Sequence, residues 1–269
     1  MPPAGPEAEH EPRRLLEAVL SELGLALSAI QVEELSTYFS LLLRWNRKIN
    51  LTSVRRPQDI AVRHFGESLF LAKLLPMPAG LLVDVGSGAG FPSLPLKIAW
   101  GTVETVLLEP NKKKAAFLKE VIRHCGLGKI AVRTERLEEV AKEDLAGRAS
   151  LVALRALALT PGVLKDLRRL LAPGGRVAFF LGEEDANNLT KLPDLRWESP
   201  AAIPRHGSPP PGWRGRWSRR RWSTAASSTA ALFQWRGWGK AQGKAGAGAG
   251  SAEKSRTRSA ASSSAELPE

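Results

Sequence analysis

The stretch that decides the fold is LLVDVGSGAGFPSLPLKI, Leu81 to Ile98. An apolar run carries an acid, Asp84, near its end. Glycines then stand at 86, 88 and 90, and an apolar-periodic segment follows. This is the pattern of a buried strand, a tight turn and a helix. Glycine lets such a turn take positive φ and lets a ligand approach the backbone. In open α/β sheets that turn lies past the carboxyl end of a strand, where ligands bind.

Downstream, the alternation continues. VETVLLE, KIAVRT, SLVALRAL and GRVAFFLG have strand character, and LRWESPAAIP is a weaker candidate. Between them, NKKKAAFLKEVIRHCG, LEEVAKEDL and TPGVLKDLRRLLAPGG have helical spacing, with Gly126 as a stop and Thr160 and Pro161 as cap and first position. EEDANNLTKL is expected to be a short helix. Strands alternating with helices imply a doubly wound, mostly parallel sheet covered on both faces. Upstream, RRLLEAVLSELG, SAIQVEELSTYFSLLLRWNRKI and PQDIAVRHFGESLFLAKLLP have helical periodicity. Ser28 is a candidate cap, and Pro57 and Pro76 bracket the third helix. The expected organisation is a helical layer over residues 1–78, an α/β core over 79–204 and a basic tail over 205–269.

Charge is unevenly spread. The chain of 269 residues has a formal net charge of +12. From Arg205 onward there are 12 Lys or Arg against 3 Asp or Glu, so the tail holds +9 and the remainder only +3. Global basicity therefore says little about the folded part. The tail interleaves Arg with five of the eight Trp, then becomes Gly, Ala and Ser low complexity, a composition that cannot bury a core. Arg and Trp interleaved could also bind RNA through phosphate contact and base stacking. One cysteine, Cys125, rules out an intrachain disulfide framework and fits a reducing compartment. No secretory signal or membrane-length apolar run is apparent, so a cytoplasmic protein is expected.

Which ligand sits on the glycine turn? The spacing is G-x-G-x-G, whereas a dinucleotide fingerprint is G-x-G-x-x-G. Asp84 stands two residues before the first glycine and would repel a diphosphate. It would attract a ligand with an ammonium and a sulfonium, and S-adenosylmethionine is one. Glu109 ends the second strand, where a carboxylate can accept from both ribose hydroxyls. Acid, glycine turn, acid points to a methyltransferase. A dinucleotide site, or a purely structural turn capped by Asp84, stays open as an alternative.

Several motifs fall in a particular order: WNRKINLTSVR, VRHFGESL, VDVGSGAGFPSLPLKI, LLEPNKKKAAFLKEV, RLEEVA and ALRALA. Together they resemble the RsmG (GidB) family of ribosomal RNA methyltransferases over about Leu15 to Pro204. The resemblance implies a Rossmann-like class I methyltransferase sheet and S-adenosylmethionine as cofactor. It implies methyl transfer to nitrogen 7 of a guanine in 16S ribosomal RNA, on the RNA or the 30S particle, by a monomer with no membrane partner. Nitrogen 7 is an acceptor with a free lone pair, so no proton must leave and catalysis reduces to alignment and electrostatics. No catalytic residue and no metal site is therefore assigned. By position, Gly86, Gly88 and Phe91 would lie around the cofactor with Asp84, Glu109 would meet the ribose, and Leu137 and Glu138 would border the adenine. Arg155 would belong to the cofactor and target pocket and is the nearest catalytic candidate; otherwise it is a surface arginine in an ion pair. His64 reads as a packed histidine rather than a general base. Asn111 to Lys114 are either a solvated face or phosphate contacts.

Three departures from the family pattern stand out. Ser150 replaces a common aspartate, and Leu181 replaces a lysine near the expected docking edge. The last strand, normally inserted antiparallel beside the fifth, is expected to be missing, because RHGSPPPGWRGRWSRRRWSTAASS offers no comparable run. The break in composition there suggests out-of-frame or fused sequence from about Ile203. The alternative function is an RNA-binding protein of the same fold with weak or no methyl transfer; a small-molecule methyltransferase is a third reading.

Overall fold

The computed structural model describes residues 6–182, 188–189, 195–201 and 228–235. Helix α1 (Pro6–Leu23) ends at Gly24, whose φ of 60° turns the chain. Helix α2 (Ala29–Asn46) opens on a reciprocal capping box between Ser28 and Gln31. Gln31 Nε2 also donates to the carbonyls of Ile98 and Ala99, tying the start of α2 to the core. Helix α3 (Pro57–Ile60) runs through a π-helical turn (Ala61–Gly66) into α4 (Glu67–Leu74). The periodicity predicts this segment as one helix; the π turn inside it leaves no mark on the hydrophobic spacing.

The sheet then forms from β1 (Leu81–Val85), β2 (Thr105–Leu108), β3 (Ile130–Arg133), β4 (Ala149–Arg155), β5 (Leu171–Gly182), β6 (Leu195–Ala201) and β7 (Ser228–Trp235). Helices α5 (Ser93–Trp100), α6 (Lys112–His124), α7 (Leu137–Val140) and α8 (Pro161–Leu170) connect the first five strands. Asn111 caps α6 and Thr160 caps α8, each side chain accepting from main-chain N–H groups of the first turn. The helix expected over residues 183–192 falls largely outside the described residues.

The strand order is β3-β2-β1-β4-β5-β7-β6. β1 to β5 pair in parallel, and β7 pairs antiparallel with both β5 and β6. The order reverses at β1 and β4. Right-handed crossovers then put α5 and α6 on one face and α7 and α8 on the other. Leu82, Asp84, Leu151, Ala153, Arg155, Ala178 and Phe180 alternate onto a single face in this register. Leu71 of α4 and Leu96 of α5 pack over the apolar members of that set.

The expectation of a missing last strand is corrected. β7 occupies Ser228–Trp235, pairs with β5 from Arg176 to Gly182 and leaves β6 at the edge. The reading of an out-of-frame or fused end rests on the change of composition from about Ile203, which the presence of β7 does not test. The strand escapes sequence reading because STAALFQW does not alternate and follows a long Arg-, Pro- and Trp-rich stretch, so it carries no period of two.

The helical layer joins the sheet through one continuous core. Leu16, Tyr38, Phe39, Phe65 and Phe117 are wholly buried in it. Each such side chain contributes about 1.5–3 kcal/mol when removed from water. The aromatic members meet ring to ring: Tyr38 lies edge-on to Phe65 at 5.0 Å and stacks on Phe91 at 5.3 Å. The layer is therefore fixed against the glycine turn, since Phe91 closes it.

Candidate functional site

The site lies at the carboxyl edge of β1 and β4, where the strand order reverses. Three positive-φ glycines build the turn: Gly86 at 71°, Gly88 at 56° and Gly90 at 95°. Their roles differ. A Cβ on Gly90 would strike Leu94 at 2.4 Å and the Tyr38 hydroxyl at 2.9 Å, so this glycine serves packing. A Cβ on Gly86 would meet nothing within 4 Å. Open space above a backbone turn is what a ligand needs for close approach.

Beneath that turn Asp84 is completely buried. Neither carboxylate oxygen has a hydrogen-bond partner of standard geometry. Burial pushes its pKa up to about 7, although the nearby Ser93 and Ser87 favour the charged form. A buried carboxylate without a cation is costly. An ammonium delivered by a ligand would remove that cost.

Glu109, buried just past β2, accepts from the Gly88 N–H at 2.7 Å and the Asn111 N–H at 2.9 Å. It thus braces the glycine turn against the start of α6. Each oxygen keeps a second lone pair, so ribose hydroxyls can still be accepted. Asp84, Gly86, Gly88 and Glu109 are brought together as the sequence predicts.

The remaining candidates have other surroundings. The ring of Phe91 is buried between His64, at 4.8 Å, and Tyr38. Its side chain belongs to the interlayer core, and its main chain is what it can offer a ligand. Leu137 and Glu138 open α7, after β3 and two strands from β1; Leu137 is half-buried and Glu138 exposed. His64 is a packed histidine: its Nε2 meets Thr52 Oγ1 at 2.7 Å, its ring stacks on Phe91, and burial beside Arg155 and Arg63 lowers its pKa to about 3. Lys112 and Lys113 are exposed in the first turn of α6. Leu181 is buried in β5, paired in register with Thr229 of β7.

Arg155 is an ion-pair residue, but not a surface one. Its Nη2 donates to Glu67 Oε2 at 2.6 Å and to the Arg63 carbonyl at 3.0 Å. Its guanidinium carbon lies 5.8 Å from the centre of the Phe180 ring.

Sequence reasoning missed Tyr38 and Glu67. Tyr38 is fully buried and its hydroxyl donates to the Ala89 carbonyl inside the glycine turn. It is the sole tyrosine of the chain, set within an apolar helical run, which is the signal that could have found it. Glu67, at 5% exposure, is an acid between the buried Phe65 and Leu69. An acid inside an apolar helical stretch needs a partner, and that was legible.

A parallel sheet ordered 3-2-1-4-5 with an antiparallel seventh strand between the fifth and sixth is the class I methyltransferase sheet. The acid, open glycine turn and second acid stand at its switch point. Residues 31–199 match the family described as rRNA small subunit methyltransferase G. The ribosomal RNA small subunit methyltransferase G of Halorhodospira halophila is 38% identical over 188 residues, covering 70% of this chain and 87% of that one. That of Stenotrophomonas maltophilia is 35% identical over 192 residues, with the same coverage. A solved SAM-dependent methyltransferase from Aquifex aeolicus superimposes with a TM-score of 0.48 at 13% identity, over 65% of this chain and 92% of that one. The chain belongs to the rRNA small subunit methyltransferase G family, whose cofactor is S-adenosylmethionine. Among the described residues no helix is long and apolar enough to cross a membrane.

Proposed function

We propose that this methyltransferase modifies nitrogen 7 of a guanine in 16S ribosomal RNA, presented on the 30S particle or its assembling form. It acts in the cytoplasm as a monomer, through a helical layer (residues 1–78) and a core (79–204). The observation that supports this reading is the buried Asp84, with serines but no cation beside it, beneath an open glycine turn at the switch point.

The residues fit the cofactor. Asp84 would hold its ammonium end, and the backbone at Gly86, Gly88 and Phe91 would border it. Glu109 would take the ribose hydroxyls, Leu137 and Glu138 the adenine, and Arg155 the side facing the target. When bound, S-adenosylmethionine supplies an electrophilic methyl group on a sulfonium. The chain's own work is to bind, orient and exclude water. Nitrogen 7 needs no base, and His64, the histidine packed against Phe91, is a very weak one. Tyr38 and Glu109 keep the turn in shape from below and from the side. Preorganisation of this kind is what an alignment-limited transfer requires.

A second reading, an RNA binder with little transfer, is favoured by one observation: the apolar Leu181 lies buried in β5 where the family has a lysine. Incubation with methyl-labelled cofactor and unmodified 30S particles separates the two. Label at nitrogen 7 of a single 16S guanine supports the enzyme. Cofactor binding with no transfer supports the second reading, and transfer with RNA absent contradicts both.

A further inference from the structure

We infer that Glu67 is a positioning residue for methyl transfer: it fixes Arg155 at the carboxyl end of β4 so that one guanidinium nitrogen is held for an oxygen acceptor on the cofactor or the target. The inference rests on the proposed placement of Arg155 at the pocket.

Four observations converge. First, the pair is sequestered: the side chains of Arg155 and Glu67 are 15% and 6% exposed, with 2.6 Å between Nη2 and Oε2. Second, only one side of the guanidinium is engaged. Nη2 takes both Glu67 and the Arg63 carbonyl, whereas Nη1 is buried with no hydrogen-bond partner. A buried donor left unsatisfied is costly, and a bound acceptor would relieve it. Third, the π-helical turn supplies the second anchor. Its wider hydrogen-bonding pattern goes with carbonyls that accept from side chains: Arg63 from Arg155, and His64 from Ser68 Oγ at 2.6 Å. Fourth, the chain leaves β4 at once, because Ala156 takes φ 55°, a left-handed conformation that alanine adopts at a cost.

Register places the group. Val85 is opposite Leu154, so Arg155 stands level with the first residue of the glycine turn, on the same sheet face as Asp84. Asp84 would meet the cationic end of a ligand, and Nη1 an anionic or carbonyl oxygen. Glu67, from the helical layer, does not need to touch either; it sets where Nη1 sits.

The test uses the full chain, labelled S-adenosylmethionine and unmodified 30S particles, with folding of each variant checked by circular dichroism. Arg155→Ala and Glu67→Gln are both expected to lower kcat/KM by roughly 10- to 100-fold, since misplacing a group by about 1 Å has that effect. Glu67→Asp keeps the charge, folds if Gln does not, and should lose less than Gln. A raised KM for the cofactor assigns the acceptor to the cofactor; a raised KM for 30S, or a lowered kcat, assigns it to the target. Added guanidinium should restore part of the Arg155→Ala activity, and not that of Glu67→Gln/Arg155→Ala. If Arg155→Ala keeps full activity, the placement of Arg155 is wrong and the inference falls with it. If Arg155→Ala loses activity while folded Glu67→Gln and Glu67→Asp keep theirs, the pocket reading stands and the role of Glu67 is overturned.

Discussion

Two buried carboxylates, one in the helical layer and one in the sheet, have opposite circumstances. Glu67, in the helical layer, is met by Arg155 at 2.6 Å. Asp84, in β1, is more deeply buried and has no partner of standard geometry. Both are acids inside apolar surroundings, so burial alone does not say what an acid is for. A partnered charge fixes a neighbouring group in place. One without a cation beside it is free to meet one from a ligand, as proposed for Asp84, whose pKa is raised by burial.

The contrast is sharpest in stability. Glu67→Gln leaves the Arg155 charge buried and uncompensated, and should destabilise the protein by about 3–5 kcal/mol in urea titration. Asp84→Asn should do the reverse. A carboxyl raised from 3.8 to about 7 binds its proton more tightly folded than unfolded, so stability falls as pH rises through that window. The cost is fully present above pH 7 and absent below pH 3.8. Cofactor-free Asp84→Asn should gain on the order of 4 kcal/mol at pH 8 and only about 1 kcal/mol at pH 4.5, measured by the same titrations. Equal and same-signed effects at the two sites would erase the distinction between them.

Smaller effects should follow at the groups that connect the two regions. Tyr38→Phe removes the donor to the Ala89 carbonyl and should lower the urea-derived stability by about 1–2 kcal/mol. It should also raise the cofactor KM, because the glycine turn loses its brace from below. His64→Gln should change kcat least, by no more than about threefold. With its pKa at about 3, wild-type His64 should add no inflection near pH 6.5 to the rate profile.

Much of this site was legible in the sequence because it is local. VDVGSGAG places Asp84 and the turn within a few residues of each other, and Glu109 follows at the next strand end. Parallel topology follows from the alternation of elements, and caps at Ser28 and Thr160 stand where small polar residues precede helical runs. What was not legible depends on pairing across the chain. Arg155 and Glu67 are 88 residues apart, and nothing in ALRALA says which acid it meets. Phe91 faces the interlayer core rather than the turn's open side because Tyr38 and His64, from two other helices, enclose it. β7 depends on the edge of β5 as its template, so its own non-alternating sequence did not announce it.

The central claim is that Asp84 is held in readiness for the cationic end of S-adenosylmethionine. Isothermal calorimetry of cofactor binding to wild type and Asp84→Asn at pH 7.5 tests it most directly. Affinity should fall at least about 100-fold, the scale of a lost buried charge pair, in a variant no less stable than wild type. Unchanged affinity in that folded variant would contradict it.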